Sequence, residues 1–197
     1  TNAEGKLVQP DAQPGDFRYQ DLDGDGSITA EGDRTNLGKC VPSWTYGINA
    51  SIDWKGIDFS MVWQGVAGNK IFDATRRTDI LTMNQPKYVL NRWTGEGTTN
   101  DYPRFTVTDP NQNWSKASDF FIKDASYFRL KNVTLGYTLP VNWTNKIFVK
   151  KFRVYVACEN ALTFTKYDGF DPEIADYVDR GIYPQARTVQ FGANITF

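Results

Sequence analysis

Residues 188–197 read T-V-Q-F-G-A-N-I-T-F. Apolar residues occupy every second position from Val189 to Phe197, and polar or small residues stand between them. A period of two places the two sets on opposite faces of a β-strand. A strand of this length with one apolar and one polar face is typical of an outer-membrane β-barrel.

Four earlier segments show the same alternation. The first, residues 44–54, has aromatic residues at both ends of its apolar face and aliphatic residues between them, as in a lipid-facing strip between two interfacial girdles. Ten residue steps of about 3.4 Å at a tilt of about 45° cover about 24 Å, close to the apolar band of such barrels. The predicted strands cover about residues 44–54, 57–65, 127–139, 151–164 and 187–197.

The connections between the predicted strands alternate in length. Residues 1–43, 66–126 and 165–186 form long polar stretches rich in Gly, Asn, Asp and Pro, whereas residues 55–56 and 140–150 are short. Bacterial barrels carry long loops on the extracellular side and short turns on the periplasmic side. The pattern therefore predicts extracellular long loops and a periplasmic C-terminus.

The number of predicted strands indicates a fragment of a larger fold. Single-chain bacterial barrels contain an even number of strands from about eight upward, so five strands cannot close one. An open sheet edge in lipid would leave backbone groups without hydrogen-bond partners. The sequence therefore predicts an all-β fold in which residues 44–197 supply the C-terminal five antiparallel strands of a large transmembrane β-barrel.

Composition excludes several classes of function. Lys and Arg total 22 against 23 Asp and Glu, giving a net charge of −1, which argues against a nucleic-acid partner. The chain has no histidine, and therefore no Ser-His-Asp or Cys-His catalytic site and no His-ligated zinc. We therefore predict that it is not an enzyme. A mean hydropathy of −0.51 and the lack of a long apolar run exclude a transmembrane helix.

Two minor features also give expectations. The stretch from Lys70 to Leu81 in the second long connection is compatible with a helix. Cys40 and Cys158 form no CxxC motif and are interpreted as small packing residues, with a disulfide left open.

An acidic motif lies in the first long stretch, where residues 21–29 read D-L-D-G-D-G-S-I-T. Asp21, Asp23 and Asp25 stand at positions 1, 3 and 5 of an EF-hand-type calcium loop, and Ser27 stands at position 7, which offers its carbonyl oxygen. Alternate carboxylates of this kind converge on one hard cation. The sequence therefore predicts a structural calcium site.

Two acidic residues are candidates for the last calcium ligand of this site. Position 12 normally holds a bidentate Glu, but here it is Gly32, between Glu31 and Asp33. Of the two acidic neighbours we favour Asp33. The alternative to a calcium site is an Asx-rich turn with solvated carboxylates.

Five motifs between Pro14 and Phe197 together carry a family resemblance. They read PGDFRYQDLDGDGSIT, VPSWTYGINASIDWKGIDFSMVWQG, DASYFRLKNVTLGYTLP, ENALTFTKYDGFDPE and YPQARTVQFGANITF. The chain thereby resembles the C-terminal part of the SusC/RagA family of TonB-linked (TonB-dependent) outer-membrane transporters of Bacteroidetes. Residues 67–120 carry no recognisable motif of this family.

The resemblance implies a barrel of about 22 strands around an N-terminal plug, with transport driven by the TonB complex. It also implies a SusD-like surface lipoprotein that captures glycans or peptides. The chain would then be part of an importer of oligosaccharides or peptides, in contact with outer-membrane lipid and with the remaining barrel and plug of the same transporter.

Aromatic residues in the second long connection are candidates for ligand or partner contact. Trp93 and Trp114 lie there, and an aromatic face suits a sugar ring, although loop packing is the alternative. In the third long connection Asp168, Asp171 and Glu173 are interpreted as part of a turn and not as a glycosidase pair.

The alternative function is a soluble calcium-dependent β-sandwich that binds carbohydrate. In a sandwich the inner faces of two sheets meet, so the strand tryptophans would be buried. In a transmembrane barrel the same face is turned to lipid.

Overall fold

The computed structural model describes residues 4–75 and 84–197. The chain forms two compact units. The larger unit consists of Gly38–Asp73 and Ile122–Phe197, and the smaller unit consists of Thr1–Leu37 and Ala74–Phe121.

Strands are the main secondary-structure elements of the described residues, and they lie in the larger unit. In chain order the strands are β1 Trp44–Trp54, β2 Ile57–Ala67, β3 Lys70–Asp73, β4 Ile122–Asp124, β5 Tyr127–Thr138, β6 Lys151–Thr165, β7 Val178–Asp179 and β8 Thr188–Thr196. The helical segments are α1 Val141–Thr144 and the 3-10 turns Lys87–Asn91, Asp119–Phe121 and Asn145–Ile147. Within residues 4–75 and 84–197, no helix has the length and apolar character needed to cross a bilayer.

The predicted antiparallel sheet of five strands is confirmed, with the order β1-β2-β5-β6-β8. Its register aligns the apolar positions of all five strands. Ile52 is opposite Phe59, Phe59 is opposite Leu135, and the row continues through Val156 to Phe191. Paired residues share a face of the sheet, so one apolar row crosses it from edge to edge.

Large side chains of this apolar face are exposed in the described part of the chain. Trp44, Trp54 and Phe191 are 74%, 62% and 84% exposed. A β-sandwich would pack such side chains against a second sheet. The arrangement is that of a membrane-facing sheet and not that of the soluble carbohydrate-binding sandwich.

Aromatic packing orders the end of the apolar face next to the long connections. The rings of Trp63 and Phe128 stack with centroids 4.6 Å apart, and the ring of Tyr46 lies 5.7 Å from that of Phe128. Tyr46 is paired with Gly65 on β2, where a Cβ atom would come within 2.6 Å of the Tyr46 ring. Glycine at this position lets the tyrosine lie flat against the neighbouring strand.

A second, three-stranded sheet has the order β4-β3-β7. The prediction of a helix from Lys70 is wrong for residues 70–73, which form β3 and pair with both β4 and β7. Strand pairing places Ile71 in a small core, and this tertiary gain overrides local helix propensity. Residues 76–81 of the predicted helix lie outside the described residues. The core of this sheet consists of Ile71, Ala125, Tyr167 and Ile174.

The two cysteines have different environments, and both are free thiols. Cys40 is exposed, so its interpretation as a packing residue is wrong. Cys158 is half-buried on the apolar face, opposite Val133 and Val189.

The smaller unit is organised around Asp16. The Oδ1 atom of Asp16 accepts hydrogen bonds from Arg104 Nε at 2.5 Å and from Asn113 Nδ2 at 2.7 Å. Its Oδ2 atom accepts from the Gln13 backbone N–H at 2.8 Å. Burial acts to raise the pKa of Asp16, but these hydrogen bonds outweigh it and lower the pKa.

One ion pair on the polar face of the larger sheet spans three strands. Arg153 on β6 donates through Nε to Asp58 Oδ1 on β2 at 2.8 Å and through Nη2 to Oδ2. Strand β5 lies between them, and Gly136 occupies the crossing point. A Cβ atom at Gly136 would come within 2.5 Å of both side chains.

We expect Gly136→Ala to push this ion pair apart and to destabilise the intact protein by about 1–3 kcal/mol, the usual cost of overpacking. The measurement is denaturant-induced unfolding of the intact protein in detergent micelles. The control is the same substitution in an Asp58→Ser/Arg153→Ser background, where we expect a much smaller cost. An equal cost in both backgrounds would show that Gly136 does not serve the ion pair.

Candidate functional site

The polar face of the larger sheet carries a buried ionic cluster near the long connections. Arg129 on β5 and Asp171 in the connection after β6 are each 3% exposed. Arg129 donates through Nη2 to Asp171 Oδ1 at 2.7 Å, through Nη1 to Glu173 Oε2 at 3.0 Å and through Nε to Thr163 Oγ1 at 3.0 Å. Such a set of bonds is what a buried guanidinium requires, since an unpaired buried charge is costly.

Lys131 and Gln185 complete the Arg129 cluster, which we define as Arg129, Lys131, Asp171, Glu173 and Gln185. Lys131 Nζ donates to Glu173 Oε2 at 2.6 Å and to Gln185 Oε1 at 3.1 Å. The Gln185 backbone N–H donates to Asp171 Oδ2 at 3.0 Å. The charges of two cations and two carboxylates cancel. The cluster thus holds the connection after β6 onto the polar face of the sheet.

The pKa of Asp171 is set by opposing effects. Burial acts to raise it, but the hydrogen bonds from Arg129 and from the backbone N–H groups of Glu173 and Gln185 outweigh burial and lower the pKa. A carboxyl group with a depressed pKa adds stability above the pKa of the unfolded chain and loses it as the pH falls through the folded pKa. The attachment is therefore fully present at neutral pH. A lowered pKa is also the opposite of what a glycosidase acid requires.

The acidic loop brings three of the predicted calcium ligands together. Each of Asp21, Asp23 and Asp25 offers a carboxylate oxygen, and these oxygens all lie within 4.8 Å of one another. Asp21 accepts from the Gly24 backbone N–H at 2.7 Å, and Asp25 accepts from the Ser27 backbone N–H at 2.7 Å. Converging carboxylates on a tightly turned loop are the donor set that calcium prefers.

Asp33 has a different position from these three residues. Its Oδ1 accepts from the Leu22 backbone N–H at 2.7 Å and its Oδ2 from the Thr29 backbone N–H at 2.6 Å. These two hydrogen bonds lower the pKa of Asp33. Among the residues that the structure describes, the acidic group includes neither Asp33 nor Glu31. Asp33 closes the loop, and its role as a calcium ligand stays a prediction.

The structure gives a reason for the glycine at position 12 of the loop. A Cβ atom at Gly32 would lie 2.0 Å from Asp23 Oδ2. The carboxylate of Asp23 therefore occupies the space that a side chain at position 12 would need. The fifth predicted ligand, the carbonyl oxygen of Ser27, also stays a prediction.

The two candidate tryptophans have different environments in the smaller unit. Trp114 is 1% exposed, its Nε1 donates to the Arg104 carbonyl at 2.9 Å, and its ring packs on Phe105 and Phe120. This placement gives Trp114 a packing role. Trp93 is half-buried over Gly15 and lines a cavity of about 190 Å³ with residues that include Asn100. Trp93 therefore has a cavity beside it, and its contact with a ligand or partner stays a prediction.

Sequence reasoning missed the Arg129 cluster. Arg129 and Lys131 lie in a predicted strand, but their partners Asp171 and Glu173 are about 40 residues further along the chain, as the separation of 42 between Arg129 and Asp171 shows. A usable signal was the placement of an arginine at a polar-face position inside an alternating strand. Such a charge needs a partner when a loop covers it.

The relatives found by sequence comparison are TonB-dependent receptors. The chain is 33% identical over 201 residues to a TonB-dependent receptor of Formosa agariphila, covering 95% of this chain and 19% of that relative. It is 25% identical to the TonB-dependent receptor SusC of Bacteroides thetaiotaomicron, covering 98% of this chain and 19% of SusC. The chain thus spans about a fifth of the length of the curated relatives that it matches. No family model matches it.

Structural comparison agrees with the sequence relatives. A structure of the RagAB peptide transporter has a TM-score of 0.71 at 26% identity, covering 87% of this chain and 19% of that chain. The RagAB peptide importer in its open-open state has a TM-score of 0.69 at 26% identity, with the same shares covered. These relatives are named as receptors, transporters and importers, and not as enzymes.

We expect Arg129→Gln to release the connection after β6 from the sheet, because removing one partner of a buried ion pair costs about 3–5 kcal/mol. The measurement is hydrogen exchange of the Gln185 backbone amide, which donates to Asp171, in the intact protein. Exchange should become faster. Arg180→Gln is the matched control, because Arg180 pairs with Asp176 at 2.6 Å at the exposed surface. Unchanged exchange in Arg129→Gln would contradict the role of the cluster.

We expect the intact protein to bind calcium, and Asp23→Ala to lower its affinity at least about tenfold, because one converging carboxylate is lost. Calcium titration by calorimetry measures this. Asp101→Ala, which removes an exposed carboxylate of the same unit outside the acidic group, should leave the affinity unchanged. Equal calcium affinity in the wild type and Asp23→Ala, or no calcium binding to the wild type, would favour the Asx-rich turn.

Proposed function

Because the chain belongs to the SusC/RagA family of TonB-dependent outer-membrane receptors, we propose that the protein it comes from imports oligosaccharides or peptides across the bacterial outer membrane. The observation that carries this proposal is the apolar row from Ile52 to Phe191, which crosses all five strands of one sheet. Ile52, Leu135 and Phe191 of this row are exposed, as a lipid-facing surface requires. RagAB is a peptide transporter and importer, which supports peptides as one ligand class.

In this proposal the two faces of the sheet have different surroundings. The apolar face contacts outer-membrane lipid, and the polar face with the Asp58–Arg153 pair and the Arg129 cluster faces the lumen. The long connections are extracellular, and the short connections and the C-terminus are periplasmic. Lys131 and Asn160 stand at a bulge between β5 and β6, close to the extracellular end.

The proposal assigns partners to the whole protein. The remaining strands and the plug close the barrel around the lumen, so that the edge strands β1 and β8 gain the neighbours that lipid exposure demands. The TonB complex supplies energy through the plug. A SusD-like surface lipoprotein delivers the ligand at the extracellular side.

Two features of the smaller unit fit an extracellular role. A bound calcium ion would stiffen the loop of residues 21–33, which otherwise holds three converging carboxylates at some electrostatic cost. The cavity beside Trp93 offers an aromatic wall and amide groups, which suit contact with a ligand or partner.

The test of the proposed function is uptake by cells. Cells lacking the gene of the full-length receptor should fail to deplete a defined mixture of peptides and oligosaccharides that wild-type cells deplete, as measured by mass spectrometry of the medium. Complementation should restore depletion, and deletion of TonB should abolish it. Depletion that is unaffected by loss of the gene would refute the proposal.

The same assay tests Trp93. Complementation with Trp93→Ala should reduce uptake, because the aromatic wall of the cavity is lost, whereas Trp93→Phe should retain part of it. Trp143→Ala is the control, since Trp143 is an exposed tryptophan in the short connection between β5 and β6. Equal uptake by Trp93→Ala and the wild type would assign Trp93 to loop packing.

A further inference from the structure

A second cavity lies within the larger unit, where the connection after β6 covers the polar face. Its volume is about 260 Å³. Its lining includes Arg129, Asn160, Thr163, Phe170, Gln185 and Arg187. Arg129 and Thr163 are opposite each other on β5 and β6, on the face that does not carry the apolar row. The cavity therefore opens on the side that the proposed function assigns to the lumen.

The ionic cluster next to the cavity is electrically balanced. Arg129 and Lys131 are paired with Asp171 and Glu173. Asp171, which itself lines the cavity, also accepts hydrogen bonds from the backbone N–H groups of Glu173 and Gln185, so each of its oxygens has at least one donor. The carboxylate that a ligand group meets in the cavity is therefore already paired with Arg129.

Arg187 supplies an unmatched positive charge at the cavity wall. It is exposed, and its guanidinium forms no hydrogen bond or ion pair with the residues described at 4–75 and 84–197. The nearest acidic residue on the adjacent strand is Glu159, which stands opposite Thr188 and forms no ion pair with Arg187. A planar guanidinium with free donors matches a carboxylate, which it binds through two parallel hydrogen bonds.

A residue with a positive φ holds the backbone next to Arg187. Asn160 has a φ of +50°, in the left-handed region that asparagine tolerates better than most residues. It lies at the bulge where the pairing shifts from Leu130–Leu162 to Asn132–Glu159. Its Nδ2 donates to the Ala186 carbonyl at 3.0 Å, which ties the residue before Arg187 to β6. Strain of this kind concentrates at functional sites.

Further donors and an apolar wall complete the cavity. The amide nitrogens of Asn160 and Gln185 each use one N–H, towards Ala186 and Glu173, and each amide carries a second N–H. Phe170 is 66% exposed at the cavity and offers an apolar surface beside these donors. One cation, two amides and an aromatic face form a small site of the usual composition.

We propose that this cavity binds a carboxylate group of the imported ligand, with the Arg187 guanidinium as its main partner. The inference rests on the proposed function and adds the ligand chemistry. The carboxylate has two possible sources: a peptide, through its C-terminus or an acidic side chain, or an oligosaccharide that contains a uronic acid. Both sources present the same planar anion to the guanidinium.

The experiment measures binding to the full-length receptor in detergent by calorimetry, with two pairs of probes. One pair is a pentapeptide with a free C-terminal carboxylate and the same peptide with a C-terminal amide. The other pair is trigalacturonate and galactotriose. We expect the wild type to bind the carboxylate member of one pair at least about tenfold more tightly, and Arg187→Gln to abolish that preference. The pair that shows the preference identifies the source of the carboxylate.

Two variants control the interpretation. Arg180→Gln removes an arginine of the same connection that pairs with Asp176 and does not line the cavity, so it should keep the full preference. Arg187→Lys keeps the charge but loses the two-pronged geometry and should keep a reduced preference. Hydrogen exchange at Gln185 should be unchanged in Arg187→Gln, which shows that the cavity frame is intact.

The outcomes separate this inference from the proposed function. A preference that persists in Arg187→Gln overturns the inference, and so does a wild type that binds both members of each pair equally. If the receptor imports ligands but shows no carboxylate preference, the proposed import function is retained and only the carboxylate site is rejected. If loss of the gene leaves depletion unaffected in the uptake experiment, the proposed function itself is refuted.

Discussion

In a bilayer, every backbone N–H and C=O group needs a hydrogen-bond partner within the protein. The structure of the larger unit depends on this requirement. Strands that hydrogen-bond side by side satisfy this need and also fix the period-two alternation of side chains. Because the register holds across β1, β2, β5, β6 and β8, one apolar residue of each strand falls into a common row, from Ile52 to Phe191. An apolar face on one side of the sheet and a polar face on the other follow from that register.

Polar interactions on the second face act between strands and loops. The Asp58–Arg153 pair bridges β2 and β6 over Gly136, and the Arg129 cluster attaches the connection after β6 to β5. Both arrangements use the planar fork of arginine: Arg153 binds the Asp58 carboxylate through two hydrogen bonds, and Arg129 binds two different carboxylates through one each. Arg187 has the same chemistry but forms no ion pair with the described residues, and the proposed carboxylate site depends on it.

Much of the sheet could be predicted from the sequence, because alternation over ten or more residues is a strong signal in segments such as residues 44–54. Strand β3 was missed because four residues are too few to show a period, and its pairing with β4 depends on residues about 50 positions away. The convergence of Asp21, Asp23 and Asp25 follows from local spacing and was predictable. The burial of Trp114 and the Arg129 cluster depend on long-range packing that polar, glycine-rich connections do not reveal.

The glycine at position 136 has a consequence for how related sequences are compared. Asp58 and Arg153 contact each other although their strands are not hydrogen-bonded neighbours, since β5 lies between them. Correlated substitution at positions 58 and 153 would therefore indicate two strands as adjacent when they are second neighbours. A strand order inferred from such covariation would omit β5, and the error would be recognised by a third position, 136, that stays glycine whenever the charged pair is present.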